Sequence, residues 1–439
     1  MNNLELTERF NKVFVNAHSN MRASLDAFGK RFFITRGEGS HLWDADGNEF
    51  IDYMHAFGPS VLGVSHPEVA QAMIEFLASR PPMVGGGALF TPEDVELGER
   101  LVKHIPCAET VKLNISGTDA VQTAIRLARV YTNRPRFIRF HDQYHGWADN
   151  TSGGRYDENA VGRPFALQGH PDDYRYTEGK AEGANEQSFM IPFNEIEILE
   201  ETLRKYGDEV GLIIMEPYAL NHGGQKPYPG YLEKVRTLCD EYGVVLCFDE
   251  VQTGFRMHIG GAQAYYGVTP DIATFAKSVG GGLPLSVLAG KTEIMKLIGE
   301  NRVLSPGTFN GFSLSIISSL AAIKVMERDD CAVFKQLEKT TRQMMTGLRE
   351  IVSRRGLQIS IQGETGVFYP MFGVDPDYIF YFDTDTRLDK SNGTRLFQEL
   401  AVRGIVIHPD GRFFISTALT DEDIAKTLQA CDDSLGSMF

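Results

Sequence analysis

The sequence predicts an α/β fold: a mostly parallel sheet in a three-layer large domain, accompanied by a smaller α+β domain. Two observations predict it. Between about residues 90 and 300, helical patterns alternate with short apolar runs rich in β-branched residues, which indicates parallel strands covered by helices on both faces. Beyond about residue 312, two long helical patterns are followed by short strands and helices, as expected of a smaller α+β domain.

The length of the chain sets the number of domains. At about 100–200 residues per domain, a chain of 439 residues should hold two or three. We expect residues 1–65 to belong to the small domain, residues 66–312 to form the large domain, and residues 313–439 to complete the small domain.

The elements are expected in a definite order. After an N-terminal helical stretch, residues 32–54 place apolar positions on either side of Asp46-Gly47, which is a strong hairpin signal, and His66-Pro67 then opens a helix. Residues 148–190 show no periodicity and are expected to form a long loop. Helices are expected at 314–327 and 332–355, and strands of the large domain at 110–114, 137–140, 210–215, 244–248, 272–275 and 285–289.

Composition and charge exclude several classes of partner. A formal charge of -15 and a pI near 5.3 argue against a nucleic-acid partner, whose phosphates such a surface would repel. Five cysteines without a CxxC spacing predict free thiols and no metal site. No apolar stretch approaches the roughly 20 residues that span a bilayer, and the N-terminus is polar and acidic where a signal peptide is basic and apolar. We therefore expect a cytoplasmic protein with no membrane partner.

Lys277 has the setting of a lysine that forms a Schiff base. It follows a predicted strand and precedes three consecutive glycines. Partial desolvation favours the neutral, nucleophilic amine, and glycines leave room for a bulky aldehyde adduct. Asp249, at the end of another predicted strand, offers the fixed carboxylate that a pyridinium nitrogen needs. The pair suggests pyridoxal 5'-phosphate (PLP) as the cofactor. The alternative is a solvated acidic pair, Asp249 with Glu250, at a strand end.

Two further groups suit the same cofactor. Ser116-Gly117-Thr118 lies between a predicted strand and a helix, where backbone N–H groups and hydroxyls can bind a phosphate; an ordinary helix cap is the alternative. Tyr144 and His145 follow the strand at 137–140. An aromatic ring at such a strand end could stack on a planar cofactor, whereas the alternative is a Tyr and a His that only cap a loop.

Several motifs together carry a family resemblance. The chain resembles the class III aminotransferases of PLP fold type I, and within them the glutamate-1-semialdehyde 2,1-aminomutases most closely, from roughly residue 10 to the C-terminus. The motifs are Glu216-Pro217, Asp249-Glu250-Val251-Gln252-Thr253-Gly254-Phe255-Arg256, Thr269-Pro270-Asp271, Lys277 with Gly280-Gly281-Gly282-Leu283-Pro284, and Gly307-Thr308-Phe309.

The resemblance implies a fold, an assembly and a set of roles. The small domain would be built from both termini, and the protein would be a homodimer with shared active sites. Lys277 would hold PLP and later move a proton, Asp249 would pair with the pyridine nitrogen, and Tyr144 would stack on the ring as the third catalytic residue. The other cofactor contacts would be Ser116, Gly117, Thr118, His145, Glu216, Gln252 and, from the partner subunit, Thr308.

Departures from the aminomutase pattern concern the substrate. Asp119 stands where the family has Glu, Ala276 where the aminomutase has Gly, and Gln252 where it has Met. The segment 408–413 is shorter and presents Arg412 in place of a Glu. Arg22 lies where the aminomutase has its substrate-carboxylate arginine, and an Arg fork matches a carboxylate, although a surface arginine is the alternative. Phe57 and the 148–190 loop would also line the substrate pocket.

These features predict an aminotransferase that moves an amino group between an amino-acid or amine donor and a keto or aldehyde acceptor, with a carboxylate on the substrate. The main alternative is an intramolecular 2,1-aminomutase, which uses the same cofactor and the same first step. A PLP-binding protein without catalysis is a third hypothesis, which the presence of Lys277, Asp249 and Tyr144 disfavours.

Overall fold

A computed structural model describes residues 1–14, 28–80, 89–154, 177–379 and 391–439. These residues form two compact units. The first contains the described parts of Met1–Ala70 together with residues 328–379 and 391–439, and the second contains the described parts of Gln71–Glu327. The first unit thus takes residues from both ends of the chain.

The strands and helices follow one another in this order. The strands are β1 (Ile34–Glu38), β2 (His41–Asp44), β3 (Glu49–Asp52), β4 (Thr110–Asn114), β5 (Arg136–Phe140), β6 (Ser188–Ile191), β7 (Val210–Met215), β8 (Val245–Asp249), β9 (Ile272–Phe275), β10 (Ser286–Gly290), β11 (Ile359–Glu364), β12 (Val367–Phe372), β13 (Ile405–Val406) and β14 (Phe413–Phe414). The α-helices are Asn3–Val13, Pro67–Ser79, Pro92–His104, Gly117–Thr132, Ile196–Tyr206, Tyr231–Tyr242, Gly261–Tyr266, Thr292–Gly299, Ser313–Met326, Arg328–Arg355, Ser391–Ala401 and Asp421–Met438.

The second unit is built on a seven-stranded sheet with the order β4-β10-β9-β8-β7-β5-β6. β10 runs antiparallel to both of its neighbours, β4 and β9, and the other four pairings are parallel. The mostly parallel sheet and the α/β class are confirmed. The six strands predicted for this sheet are present within a residue of their expected bounds. β7, β8, β9 and β10 are buried along their whole length, as expected of strands that helices cover on both faces.

One face of this sheet is covered by the helices Gly117–Thr132 and Thr292–Gly299. Their apolar side chains form one buried cluster with the strands; Ile125 is 1% exposed and Ile214 of β7 is fully buried. Each such side chain contributes roughly 1.5–3 kcal/mol when it leaves water. The core beneath the strand ends is therefore closely packed, which fixes where those ends lie.

One strand of the large sheet, β6, was not predicted from the sequence. The expected loop over 148–190 is wrong at its end, because β6 begins at Ser188 and pairs in parallel with β5. Its four residues, Ser-Phe-Met-Ile, include a single β-branched residue, so their intrinsic β-propensity is low. The segment forms a strand because it pairs with β5. Residues 155–176 of the expected loop lie outside the described part of the chain.

The first unit holds two smaller sheets, β1-β2-β3-β13 and β11-β12-β14. The predicted hairpin at Asp46-Gly47 is present between β2 and β3, and the Asp44 carboxylate stabilises it by accepting the N–H groups of Asp46 and Asn48 at 3.0 and 2.9 Å. The helix expected from 332 is also present. The three residues before it, Asp329 to Cys331, have φ angles of 50, 54 and 57°, which breaks the helix there.

Within the described ranges, no helix combines the length and the apolar composition needed to cross a bilayer.

Candidate active site

The carboxyl ends of five strands meet at one edge of the large sheet. β5, β7, β8 and β9 run in parallel, and β4 shares their direction because the intervening β10 is antiparallel to both β4 and β9. Residues that end or follow these strands are therefore gathered at one edge, where α/β sheets bind ligands. In chain order they are Ser116, Tyr144, Glu216, Asp249 and Lys277.

Asp249 and Lys277 belong to neighbouring parallel strands. Asp249 is the last residue of β8 and lies opposite Thr274 of β9, three residues before Lys277. Oδ1 of Asp249 accepts the Thr274 hydroxyl at 3.2 Å and the Val251 N–H at 3.1 Å. The carboxylate is thus fixed by its own loop and by the strand that leads to the lysine.

Lys277 has a left-handed backbone. It begins a short 3-10 turn, Lys277–Gly280, with a φ angle of 52°, which costs a residue with a side chain roughly 1–2 kcal/mol. Such outliers persist where the surrounding structure imposes them, often at functional sites. Gly281 explains part of the glycine run: its φ is 60° and a Cβ there would lie 2.6 Å from the Ser318 carbonyl oxygen. The backbone conformation and the close contact with Ser318 therefore also require a glycine at position 281.

His145 contacts the other oxygen of Asp249. Its Nδ1 lies 2.7 Å from Oδ2, and the two side chains are 0% and 3% exposed. A buried carboxylate requires a partner of this kind, because an unpaired charge is costly away from water. On the opposite side of the ring, Nε2 of His145 is buried and has no hydrogen-bond partner among the described residues.

Glu250, next to Asp249, plays a different part. It is fully buried and accepts hydrogen bonds from Thr253 Oγ1 at 2.8 Å, from the N–H and side-chain amide of Gln263 at 3.0 and 3.1 Å, and from the N–H of Ala262. Burial raises the pKa of the Glu250 carboxyl, and the hydrogen bonds, which lower the pKa, do not fully offset this effect. The alternative of a solvated acidic pair is wrong, since neither carboxylate is exposed.

A third buried carboxylate, Glu216, organises the loops that follow β5 and β7. It is 2% exposed, and its Oε1 accepts the Tyr144 N–H at 2.8 Å and the Asn221 side-chain amide at 2.9 Å. Asn221 in turn accepts a long hydrogen bond of 3.5 Å from Gln252. The ring of Tyr144 is 43% exposed. Glu216 thus fixes the backbone of Tyr144 and connects it, through Asn221, to Gln252.

Ser116 is the N-cap of the helix Gly117–Thr132. Its hydroxyl donates to Asp119 Oδ2 at 2.7 Å and accepts the Asp119 N–H at 3.3 Å, so the helix-cap interpretation is confirmed for Ser116. Gly117 and Thr118 are the first two helical residues, whose N–H groups have no partner within a helix. An anion at this position would meet those N–H groups and the positive end of the helix dipole.

Close packing surrounds this helix start. A Cβ on Gly117 would lie 2.9 Å from Val251 Cγ2, and one on Gly146 would lie 2.6 Å from Thr118 Oγ1. Two glycines therefore let the segments that follow β4, β5 and β8 approach one another. The helix start, the His145 loop and the Asp249 loop form one group of residues.

The contacts described above do not include the remaining predicted site residues. Thr308 is exposed in the second unit. Phe57 and Arg412 belong to the first unit: Phe57 packs edge-on against His408 with ring centroids 5.0 Å apart, and Arg412 is 3% exposed and pairs with Asp410 at 2.7 Å. Arg22 falls outside the described residues.

The match to known proteins covers nearly the whole chain. Residues 26–435 match the family described as aminotransferase class-III. The chain belongs to the class-III aminotransferases. Among relatives of this class-III aminotransferase, the glutamate-1-semialdehyde 2,1-aminomutase of Natranaerobius thermophilus is 33% identical over 92% of this chain and 90% of its own length. That of Desulforudis audaxviator is 35% identical over 96% and 94%. An omega-transaminase structure from Sphaerobacter thermophilus is 26% identical, with a TM-score of 0.87 over 99% of this chain and 97% of that chain.

Membership of the class-III aminotransferases makes the chain a PLP-dependent enzyme, an aminotransferase or an aminomutase, of PLP fold type I. The residues present fit this cofactor. PLP requires an amine for its aldehyde, a carboxylate for its ring nitrogen and an anion site for its phosphate, and the sheet edge offers Lys277, the buried Asp249 and the helix start at Gly117.

Several residues of this class-III aminotransferase site escaped the sequence analysis. Thr274 could have been found, because pairing the two predicted strands in parallel puts its hydroxyl beside Asp249. Gln143 and Asn221 lie in the loops after β5 and β7, and their residue types alone indicate no role; Gln143 accepts the Glu216 N–H at 2.8 Å. Only the folded arrangement of the loops identifies them.

Proposed function

We propose that this protein is an aminotransferase that moves an amino group from an amino-acid or amine donor to a keto or aldehyde acceptor. The observation that carries the proposal is the pairing of β8 with β9, which sets the buried carboxylate of Asp249 opposite Thr274, close in sequence to Lys277. An amine and a fixed carboxylate on neighbouring strand ends suit the two ends of one pyridine cofactor.

Each residue would have a defined task. Lys277 would supply the amine that holds the cofactor covalently, and Asp249, oriented by His145, would keep the ring nitrogen protonated. When bound, PLP supplies an electron sink that lets a proton leave a substrate carbon. The released Nζ of Lys277 would take that proton and return it at the end of the half-reaction, as a general base and then a general acid.

The other contacts would orient the ring and the phosphate. The N–H groups of Gly117 and Thr118, with the hydroxyl of Thr118, would bind the phosphate at the helix N-terminus. Ser116 would take part only through the peptide that it shares with Gly117, because its hydroxyl and its own N–H are both engaged with Asp119. The ring of Tyr144 would stack on the cofactor, while Glu216, by fixing the Tyr144 backbone, and Gln252 would stand near its polar edge.

Amino transfer is preferred to isomerisation because of two departures from the aminomutase pattern. Gln252 stands where the aminomutases have Met, and Arg412 lies in a segment that lacks their Glu. The opposing observation is that relatives named as aminomutases are 33% and 35% identical over more than nine-tenths of this chain. An intramolecular 2,1-aminomutase is therefore the second candidate.

Product analysis separates the two candidates. The PLP-loaded enzyme is incubated with a panel of amino donors, with and without a keto acid, and the amino products are identified by mass spectrometry. Amino transfer predicts that a new amino acid forms only when the keto acid is present. Isomerisation of a single amino substrate without an added acceptor would overturn the proposal in favour of the aminomutase.

The proposal includes a homodimer in the cytoplasm. Thr308 is exposed, and the neighbouring Leu304 and Phe309 are 61% and 53% exposed, which suits a segment covered by a second copy. Thr308 would then reach the phosphate of the partner's cofactor. Sedimentation at micromolar concentration would test the dimer. Mixing inactive Lys277→Ala protein with Thr308→Ala protein would test the sharing, because a shared site predicts activity that is not the sum of the two.

The substrate would carry a carboxylate. Arg22, Phe57 and Arg412 are proposed as its contacts, on the resemblance for Arg22 and on the chemistry of an arginine fork for both arginines. The Asp410 carboxylate already occupies part of the Arg412 guanidinium, so a substrate carboxylate at Arg412 would have to share it or replace Asp410.

A further inference from the structure

Ser286 connects the strand after the lysine segment to the helix start. It is the first residue of β10 and is fully buried. Its hydroxyl donates a hydrogen bond of 2.7 Å to the backbone carbonyl of Ser116. In the antiparallel register Ser286 lies opposite Asn114, the last residue of β4, so the hydroxyl spans from β10 to the turn that follows β4.

The carbonyl that Ser286 contacts belongs to the first peptide unit of the helix. The Ser116 carbonyl also accepts the Ala120 N–H at 3.2 Å, which is the first hydrogen bond of the helix. In a planar trans peptide the carbonyl and the following N–H point in opposite directions. Two donors that fix the Ser116 carbonyl therefore also fix the direction of the Gly117 N–H, away from the helix.

The side chain of Ser116 cannot fix the direction of the Gly117 N–H. Its hydroxyl and its own N–H are both engaged with Asp119 Oδ2, at 2.7 and 3.1 Å. On the Gly117 side of the turn the nearest neighbour is the apolar side chain of Val251, which offers no hydrogen bond to orient the peptide. Among the described contacts of this turn, the Ser286 hydroxyl is the side-chain donor that comes from another strand.

We infer that Ser286 is a positioning residue for phosphate binding: it holds the Ser116–Gly117 peptide with the Gly117 N–H directed at the phosphate group of PLP. The inference rests on the proposed function, in which this helix start binds the phosphate. Ser286 itself does not contact the phosphate. Its removal leaves the carbonyl with one donor and lets the peptide rotate, so that the phosphate loses part of a preorganised donor.

The test compares two ligands that differ only in the phosphate. Dissociation constants of PLP and of pyridoxal, which lacks the phosphate, are measured on apoprotein by fluorescence quenching, together with the melting temperature. For Ser286→Ala we expect PLP binding to weaken roughly three- to tenfold, the range for one lost hydrogen bond, while pyridoxal binding changes less than twofold. Inorganic phosphate should compete with PLP less well in the variant by a similar factor.

Ser360 offers a matched control. It is a buried serine whose hydroxyl donates to a backbone carbonyl, that of Tyr378, at 2.6 Å, but in the first unit. Ser360→Ala should lower the melting temperature by a similar amount and leave both dissociation constants unchanged. Should Ser286→Ala fail to fold, Ser286→Cys, whose thiol is a weak donor of nearly the same shape, is held to the same criterion.

The outcomes are distinct. Equal weakening of PLP and pyridoxal, or no weakening of either, overturns the role of Ser286 while leaving the proposed function intact. A wild-type apoprotein that binds PLP no better than pyridoxal, or does not bind it, overturns the phosphate site on which the inference rests.

Discussion

Nδ1 of His145 lies 2.7 Å from Oδ2 of Asp249, with both side chains excluded from solvent. Replacing Asp249 with Asn keeps the shape and removes the charge that the ring nitrogen needs. We expect kcat to fall by roughly 10²-fold or more, the usual loss when a preorganised electrostatic group is removed, with a smaller change in melting temperature. Steady-state kinetics and a thermal scan check this, and an Asn variant with wild-type kcat would contradict the role of Asp249.

His145 should act through Asp249. The variant His145→Ala leaves a buried carboxylate without this partner, so we expect a drop in kcat smaller than that of Asp249→Asn and no further loss in the double variant. The cycle of single and double variants measures this coupling. Fully additive losses would show that His145 acts independently.

Lys277→Ala should abolish amino transfer, with turnover reduced by at least roughly 10³-fold, while the fold remains intact. The left-handed backbone gives a second expectation. Asn tolerates this conformation better than Lys does, so Lys277→Asn apoprotein should be no less stable than the wild type in urea, although equally inactive. Retained turnover in either variant would remove Lys277 from the mechanism.

Gly146→Ala should weaken the cofactor site more than the fold. The new Cβ would lie 2.6 Å from Thr118 Oγ1 at a φ of 94°, so it must both strain the backbone and displace Thr118. We expect PLP affinity to fall roughly tenfold or more. Gly267→Ala is the control, because its φ is 75° and no heavy atom lies within 4 Å of its Cβ. Both variants should lose stability, and equal effects on PLP affinity would contradict the contact with Thr118.

Asp271 stabilises the opposite edge of the sheet. Its carboxylate accepts the Leu246 N–H at 2.8 Å, pairs with Arg236 at 2.8 Å and pairs with Lys291 at 2.6 Å. Asp271→Ala should cost about 3 kcal/mol in the free energy of unfolding, at the low end for a broken buried ion pair because Lys291 is partly exposed. Urea titrations of the apoprotein measure it.

The ionisation of Asp271 should also make the free energy of unfolding depend on pH. Burial raises the pKa of Asp271, but the hydrogen bonds from Lys291, from the Leu246 N–H and from Arg236 outweigh it, and the pKa is lowered from 3.8. The native state therefore favours the ionised form, so its stabilisation is present above the unfolded-state pKa and is lost as the pH falls through the native value. The stability gap between wild type and Asp271→Asn should be constant from pH 7 to about pH 5 and shrink below about pH 4. A gap that stays constant down to pH 3 would contradict this assignment.

Arg412 and Asp410 should affect substrate binding in opposite directions. The Arg412 guanidinium lies over the rings of Tyr369 and Phe414, at 5.2 and 5.3 Å. It also lowers the pKa of the partly exposed Asp410 carboxyl, with which it forms an ion pair. If it binds substrate, Arg412→Ala should raise KM for a carboxylate substrate roughly tenfold or more, with little change for an amine without one. Asp410→Asn removes the competing carboxylate and should lower KM. Equal effects on both substrates would reassign Arg412 to a structural role.

Most strands of the large sheet could be predicted from the sequence, because strands that helices cover on both faces are continuous apolar runs. β7 and β9 were predicted at their observed bounds for this reason, and the hairpin at Asp46-Gly47 followed from its turn residues. β6 could not be predicted in this way, since its strand state depends on pairing with β5. Local propensity cannot supply a contact between residues so far apart in the chain.

The candidate site was predictable where a residue ends a strand, as for Asp249 and Lys277. Their roles, and those of the other proposed contacts, stay predictions. Contacts between side chains of separate loops could not be predicted, because the His145 contact with Asp249 and the hydrogen bonds from Asn221 to Glu216 depend on how those loops pack. The burial of Glu250 could not be predicted either, because it depends on the helix Gly261–Tyr266, whose Ala262 and Gln263 donate their N–H groups to the Glu250 carboxylate.

The antiparallel strand of the large sheet, β10, also affects the order in which the chain folds during synthesis. β4 stands at the edge of the sheet and its neighbour there is β10, so a nascent chain that has emerged only as far as β9 leaves β4 without its strand partner. Closing so distant a pair is slow compared with local pairing. The segment at Ser116 to Thr118 should therefore be among the last parts of this unit to become ordered on the ribosome, after the strands that carry Asp249 and Lys277.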